Sequence, residues 1–242
     1  MAKFSWFVDL FFGFLTIMPS LLSRYLTTLG MLTTIASSQV SANSIAKPTT
    51  ALFGYNTLYS LLLAEMALTR NQAPIALNEY QQQAVSTQDA GVTERALQIA
   101  NYLQDNKTAL SLAEQWVKIA PENSKTFYQL AYFSLKQQQY VAAIQAIDKL
   151  LILEPEAELE ALFLGALPAN ADGRKLLLAE LANLEKNYPD NSHLLFVHGL
   201  LVGENGDYPL ALRYMEQARV KNPHSIPIIL LEARILTVSK QE

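Results

Sequence analysis

The residues best equipped for chemistry are three histidines and a run of alternating carboxylates. His193, His198 and His224 are the only histidines in the chain. A helical metal pair places its imidazoles four residues apart so that both share a face, and the five-residue step from His193 to His198 turns them away from each other. All three are expected to be structural or surface residues. Glu154, Glu156, Glu158 and Glu160 surround Pro155 and have the look of a cation site. Carboxylates beside a helix start also meet the positive end of its dipole, and the run is read as a solvated helix start. Cysteine is absent, which excludes disulfides, thiolate metal sites and a cysteine nucleophile. No glycine-rich phosphate loop, serine elbow or zinc-protease signature occurs. The expectation is a non-enzyme with no cofactor and no metal.

Without chemistry to carry, the composition points to packing. Half of the 242 residues are hydrophobic and 17% are charged, too apolar a mixture for a disordered chain. The formal charge is −4 with no basic run able to neutralise a line of phosphates, so nucleic acid is not an expected partner.

The start of the chain differs from the rest. Before Lys47 the only charged residues are Lys3, Asp9 and Arg24. Phe4 to Leu22 is nearly long enough to span a bilayer but contains Asp9 and Pro19. Arg24 then precedes a shorter apolar stretch ending near Ala36, and Val40 and Ala42 fit the small-residue pattern of a signal-peptidase site. Counted from Met1 such a signal is longer than the usual ~15–30 residues, whereas counted from Met18 it fits, which points to Met18 as the start. Residues 1–42 are therefore expected to be a signal peptide cleaved near Ala42, placing the protein in the periplasm. The alternative is an inner-membrane anchor. Residues 43–54 read as a linker, and membrane contact is expected only through residues 1–42.

Beyond the linker the chain has a strict period. Pro121, Pro155, Pro189 and Pro223 stand 34 residues apart. Proline cannot continue the helix it follows, and 34 residues is the length of a tetratricopeptide repeat: helix, turn, helix, with small residues where the two cross. With proline at position 32, the unit 124–157 places Phe127, Leu130, Ala131, Ala143, Ile147 and Leu150 at signature positions. The unit 192–225 supplies Leu195, Gly199, Ala211 and Met215, with Gly206 in its turn, and the unit 90–123 supplies Leu97, Ala109, Ala113 and Trp116. The unit 158–191 is irregular. Pro168 shortens its first helix, and Ala169 to Gly173 reads as loop. An atypical unit at about 57–89 precedes these, with Ala64 and Ala76 at the crossing, and a single helix 226–239 ends the array. The expected fold is all-α, a right-handed α-solenoid of these repeats across 55–242 in which each unit covers its neighbour's apolar face.

First helices line the groove of such stacks, chiefly through positions 2, 5, 9, 12 and 13, which share one face by the 3.6-residue period. The expected protein-binding groove is Glu94, Gln98 and Tyr102 from one unit, Lys125, Tyr128, Tyr132 and Lys136 from the next, and Phe196 and Leu200 from the fifth. Aromatics among a few polar groups suit peptide or protein recognition. Position 5 holds Glu94, Tyr128 and Phe196 rather than lysine, which disfavours a reader of chaperone C-terminal carboxylates.

The stretch from Leu52 to Leu103, with Leu58 to Glu65, Ala76 to Tyr80 and Asp89 to Ala100, resembles a family of envelope tetratricopeptide proteins of Gram-negative bacteria, and the likeness continues through Trp116 and Pro121. That family includes a lipoprotein adaptor of a periplasmic C-terminal processing protease. The resemblance implies a protein partner of that kind, either the protease or its substrates. The lipidated cysteine of those relatives is missing here, so their outer-membrane anchoring is not implied.

Overall fold

The computed structural model describes residues 53–239. The expected signal or anchor segment 1–42 and nearly all of the 43–54 linker lie outside the described residues. The described residues form eleven α-helices and no strand: α1 Tyr55–Thr69, α2 Ala73–Thr87, α3 Ala90–Tyr102, α4 Asn106–Ile119, α5 Ser124–Lys136, α6 Tyr140–Leu153, α7 Glu160–Ala166, α8 Ala171–Glu185, α9 Ser192–Glu204, α10 Tyr208–Lys221 and α11 Ile226–Ser239.

The periodic prolines set the ends of the second helices. A residue before proline is pushed out of the α region. Ala120, Glu154 and Asn222, which precede Pro121, Pro155 and Pro223, have φ near −134°, −141° and −135° with ψ of 66°, 85° and 80°. Short polar side chains then start the next helix by accepting from its free amides. Asn123 accepts from the Lys125 amide at 3.1 Å, and Asn191 from that of Leu194 at 3.0 Å. At three other junctions Asp89, Asp105 and Asp207 do the same for α3, α4 and α10.

The turn inside each repeat has a second periodic device. Asn71, Gln104, Gln138 and Gly206 occupy the same repeat position, and all four are left-handed, with φ of 58°, 57°, 59° and 90°. Each is followed by an amide that reaches back five residues, as from Gln139 to the Ser134 carbonyl at 2.8 Å, which satisfies the end of the first helix. Gly206 was the one legible member, since the left-handed region carries a steric cost for a residue with a Cβ.

Paired helices pack closely in α1–α2, α3–α4, α5–α6 and α9–α10, and successive pairs stack through α2–α3 and α4–α5. Ala64, Ala76, Ala131 and Ala143 are wholly buried, as the expected crossings require, and Gly199 lies against Ala211 and Met215. One apolar cluster fills the first two units and includes Trp116 and Phe133. A second runs from Ala131 through α11. Tyr55, Leu58, Tyr59, Leu62 and Met66 form an exposed apolar stripe along α1 among the described residues.

The fourth unit departs from the pattern. Its first helix is short, as Pro168 required, with only seven residues in α7. The expected loop is shorter than Ala169 to Gly173. Asn170 accepts from the Gly173 amide at 2.6 Å and starts α8 at Ala171, so Ala171 to Gly173 are helical. The two helices pack chiefly on their neighbours, α7 on α5 and α9, α8 on α6 and α9.

Gln138→Gly relieves the left-handed position without touching a helix interior. It is expected to raise stability by about 0.5–1 kcal/mol, read as a higher urea midpoint at unchanged slope. A lowered midpoint would mean that the glutamine side chain holds the turn.

Candidate protein-binding face

The first helices α1, α3 and α5 are tied side by side through a ladder of charges. Glu65 on α1 accepts from Arg95 on α3, at 3.0 Å to Nε and 3.1 Å to Nη2, and from the Tyr80 hydroxyl at 2.7 Å. The Arg95 guanidinium, then the tyrosine, hold the Glu65 carboxyl below the ordinary carboxylate range. Burial, followed by the bond to Glu65, pushes the Tyr80 phenol up to about 12. Glu94 on α3 pairs with Lys125 on α5 and accepts from Gln98 at 3.3 Å. Farther along, Glu204 on α9 accepts from Arg234 on α11 at 2.8 Å. The acid and base of each pair are 30 or 31 residues apart, one repeat less about a turn, so the ladder was available in the sequence once the period was known.

The expected groove residues divide three ways. Gln98, Tyr102 and Lys125 are exposed, with Tyr102 at 76%. Glu94, Tyr128, Tyr132 and Lys136 are half-buried. Tyr132 packs on α7, where a Cβ added at Gly165 would lie 3.0 Å from its ring, and it meets Phe133 edge-on at 5.0 Å between centroids. The Lys136 ammonium stands 5.5 Å from the Tyr132 centroid. Burial raises the Tyr128 phenol above its ordinary value, helped by Tyr132, Glu158 and Glu160. These two tyrosines are as much a seam between α5 and α7 as an open surface.

Phe196 and Leu200 do not belong to a groove. Each is only 1% exposed, and every residue of α9 from Ser192 to Val202 is buried. The helix has no Asp, Glu, Lys or Arg before Glu204 and packs against α7, α8, α10 and α11, so the face expected to be open is covered.

Two histidines join this buried helix to the irregular unit. His193 Nδ1 lies 2.8 and 3.0 Å from the two carboxylate oxygens of Glu160, which is 6% exposed. Glu160 is thus a buried partner rather than part of a solvated helix start, while Glu154, Glu156 and Glu158 remain exposed. His198 Nδ1 lies 2.7 Å from Glu185 on α8, and its ring stacks on Tyr214 at 4.1 Å between centroids. Among the described residues no group of three potential ligands could hold a metal ion. Both histidines act as bridges from α9 to α7 and α8.

No protein-family model matches the chain. It is 34% identical over 189 residues to a TPR repeat-containing protein of Pseudomonas aeruginosa, an alignment covering 78% of this chain and 32% of that protein. The chain thus spans about a third of the length of the curated relative it matches. Among solved structures it is similar to the MamA protein, at 13% identity over 71% of this chain and 94% of that one with a TM-score of 0.46. It is also similar to YrrB, a TPR protein with an unusual peptide-binding site, at 17% identity over 73% and 92% with a TM-score of 0.42. The 34-residue period, the packed helix pairs and the curated relative make the described residues a tetratricopeptide-repeat array.

The His193 bridge carries a pH signature. The hydrogen bond that His193 donates to Glu160 raises the His193 pKa above its ordinary value, against burial, with Glu156 and Glu158 adding to the rise. The bridge's contribution is complete below the unfolded pKa of about 6.5 and is lost as pH rises through the higher folded value. The melting temperature should fall across that window, and His193→Gln should flatten the fall. His193→Ala, which strands a buried carboxylate, should cost about 3–5 kcal/mol in urea unfolding near pH 6.

Proposed function

We propose that this chain is a non-catalytic protein-binding scaffold of the bacterial cell envelope, an adaptor for a periplasmic C-terminal processing protease or its substrates. The observation that carries the protein-binding part is the face shared by α3 and α5. Exposed Tyr102, Gln98 and Lys125 stand there with half-buried Tyr128 and Tyr132 on packed helices whose register is marked by ion pairs. Large aromatics on a pre-organised surface lose little freedom when a partner covers them. The envelope part is supported by the signal-like layout of residues 1–42 and the resemblance in Leu52 to Leu103.

A second reading rests on Phe4 to Leu22, nearly long enough to span a bilayer although it contains Asp9 and Pro19, as a retained anchor that would make the chain a membrane-tethered assembly scaffold. Among the described residues no helix is long and apolar enough to cross a membrane. The intact mass of the natural protein separates the two readings: loss of residues through Ala42 supports export with cleavage, and retention supports the anchor.

Crosslinking tagged protein in envelope extracts should recover a C-terminal processing protease, and its absence removes the adaptor reading. Tyr102→Ala should weaken the recovered interaction by about 1–2 kcal/mol while leaving the melting curve unchanged, because the side chain stands in solvent. Unchanged binding would move the partner surface away from α3.

A further inference from the structure

The second helix of the third repeat is smaller at two outer positions than those of the other repeats. It carries Ala142 and Ala146 where the equivalent pairs are Ile75 and Glu79, Thr108 and Leu112, Leu176 and Glu180, and Leu210 and Tyr214. Beside Ala142 and Ala146 lies a cleft of about 590 Å³ across α4, α5, α6 and α8, floored by Phe127, Leu130, Ser134 and the two alanines. It lies apart from Tyr102, Lys125 and Tyr128, none of which lines it. Ser134 is completely buried, and its hydroxyl has no hydrogen-bond partner, although such groups are nearly always satisfied. Around the cleft Glu114, Asp148 and Glu180 face a single cation, Lys149.

We propose that this cleft is a second binding site, which seats an aromatic side chain, tyrosine in the test below, from a partner polypeptide that has a basic residue next to that anchor. The apolar floor takes the ring, and the surplus of carboxylates takes the neighbouring cation. The site refines the protein-binding reading above and rests on it, but sits on the second-helix side of the third repeat instead of the α3–α5 face.

The probe is N-acetyl-tyrosyl-arginine amide, titrated into the purified full chain while backbone amide shifts are followed. Shifts are expected at Leu130, Ser134, Ala142 and Ala146. Replacing tyrosine by alanine in the probe should weaken binding about tenfold, the value of one buried ring. Replacing arginine by glutamate should weaken it further. Ala142→Leu fills the cleft from a half-buried position and should abolish the shifts with the melting temperature kept or raised. Should that variant fold poorly, Glu114→Gln serves instead and should narrow the gap between the arginyl and glutamyl probes. Equal affinity of the tyrosyl and alanyl probes, or shifts confined to the Tyr102 and Lys125 face, overturns the proposal. Recovery of the crosslinked partner by wild type, with no probe-dependent shifts at Leu130, Ser134, Ala142 or Ala146, would overturn the cleft and leave the scaffold standing. Recovery of no partner by wild type would overturn the scaffold, with the peptide titration still deciding the cleft.

Discussion

Two helices can share a core only if one gives up side-chain bulk where they cross, and this close approach governs the array. Ala76, Ala109, Ala143 and Ala211 hold that position in four units, and all four are wholly buried. At that separation the larger residues on either side, such as Ile147 and Leu150, interdigitate instead of propping the pair apart. A pair so joined still bares apolar faces, and only the neighbouring pair can cover them. Stability therefore passes from unit to unit, and a residue's exposure depends on the next unit as much as on its own.

The fourth unit shows the effect of a bulky crossing. Leu177 stands where the other units have alanine, and Pro168 stops the first helix after seven residues. Neither helix can use its partner fully, so each is held from outside. Tyr132 fills the space over Gly165, and Tyr140 closes on Gly173, where a Cβ would collide with its hydroxyl. The buried Tyr140 hydroxyl has no partner, a cost accepted at this junction. His193 and His198 then bind the unit to α9. The histidines that look like candidate chemistry in the sequence serve to keep an irregular repeat in the stack.

Much of the fold was legible because local rules and the long period agree. The four prolines, the small crossing residues and the asparagine starts each have a cause that acts within a few residues. The misses share the opposite property. Gln104 and Gln138 give no sign of a left-handed conformation, since the geometry is imposed by the turn between two packed helices. Phe196 and Leu200 sit at positions that face a groove when the neighbouring first helices are regular. Their burial is set by a shortened α7 and by α11, both distant in sequence. Glu160 looked like its exposed neighbours because alternation does not reveal that one member meets a histidine 33 residues later. Of the site, the α3 and α5 residues were readable from repeat position. Which of them are open and which are seams was not.

The ion pairs along the first helices act differently from the packing that joins them. Arg95 and Glu65 are each more than two-fifths exposed, and such pairs are worth about 0–1 kcal/mol and weaken with salt. They cannot hold the array together. Their role is register: an acid on one helix meets a base about one turn earlier on the next, so a slip by one turn separates every pair at little gain in burial. The Glu160–His193 bridge also joins successive first helices, with partners 33 residues apart, but in a buried setting, where losing one partner is costly. Placing the strong pair at the irregular unit and the weak ones along the regular units matches the need, because regular units are already aligned by their crossings and the fourth is not.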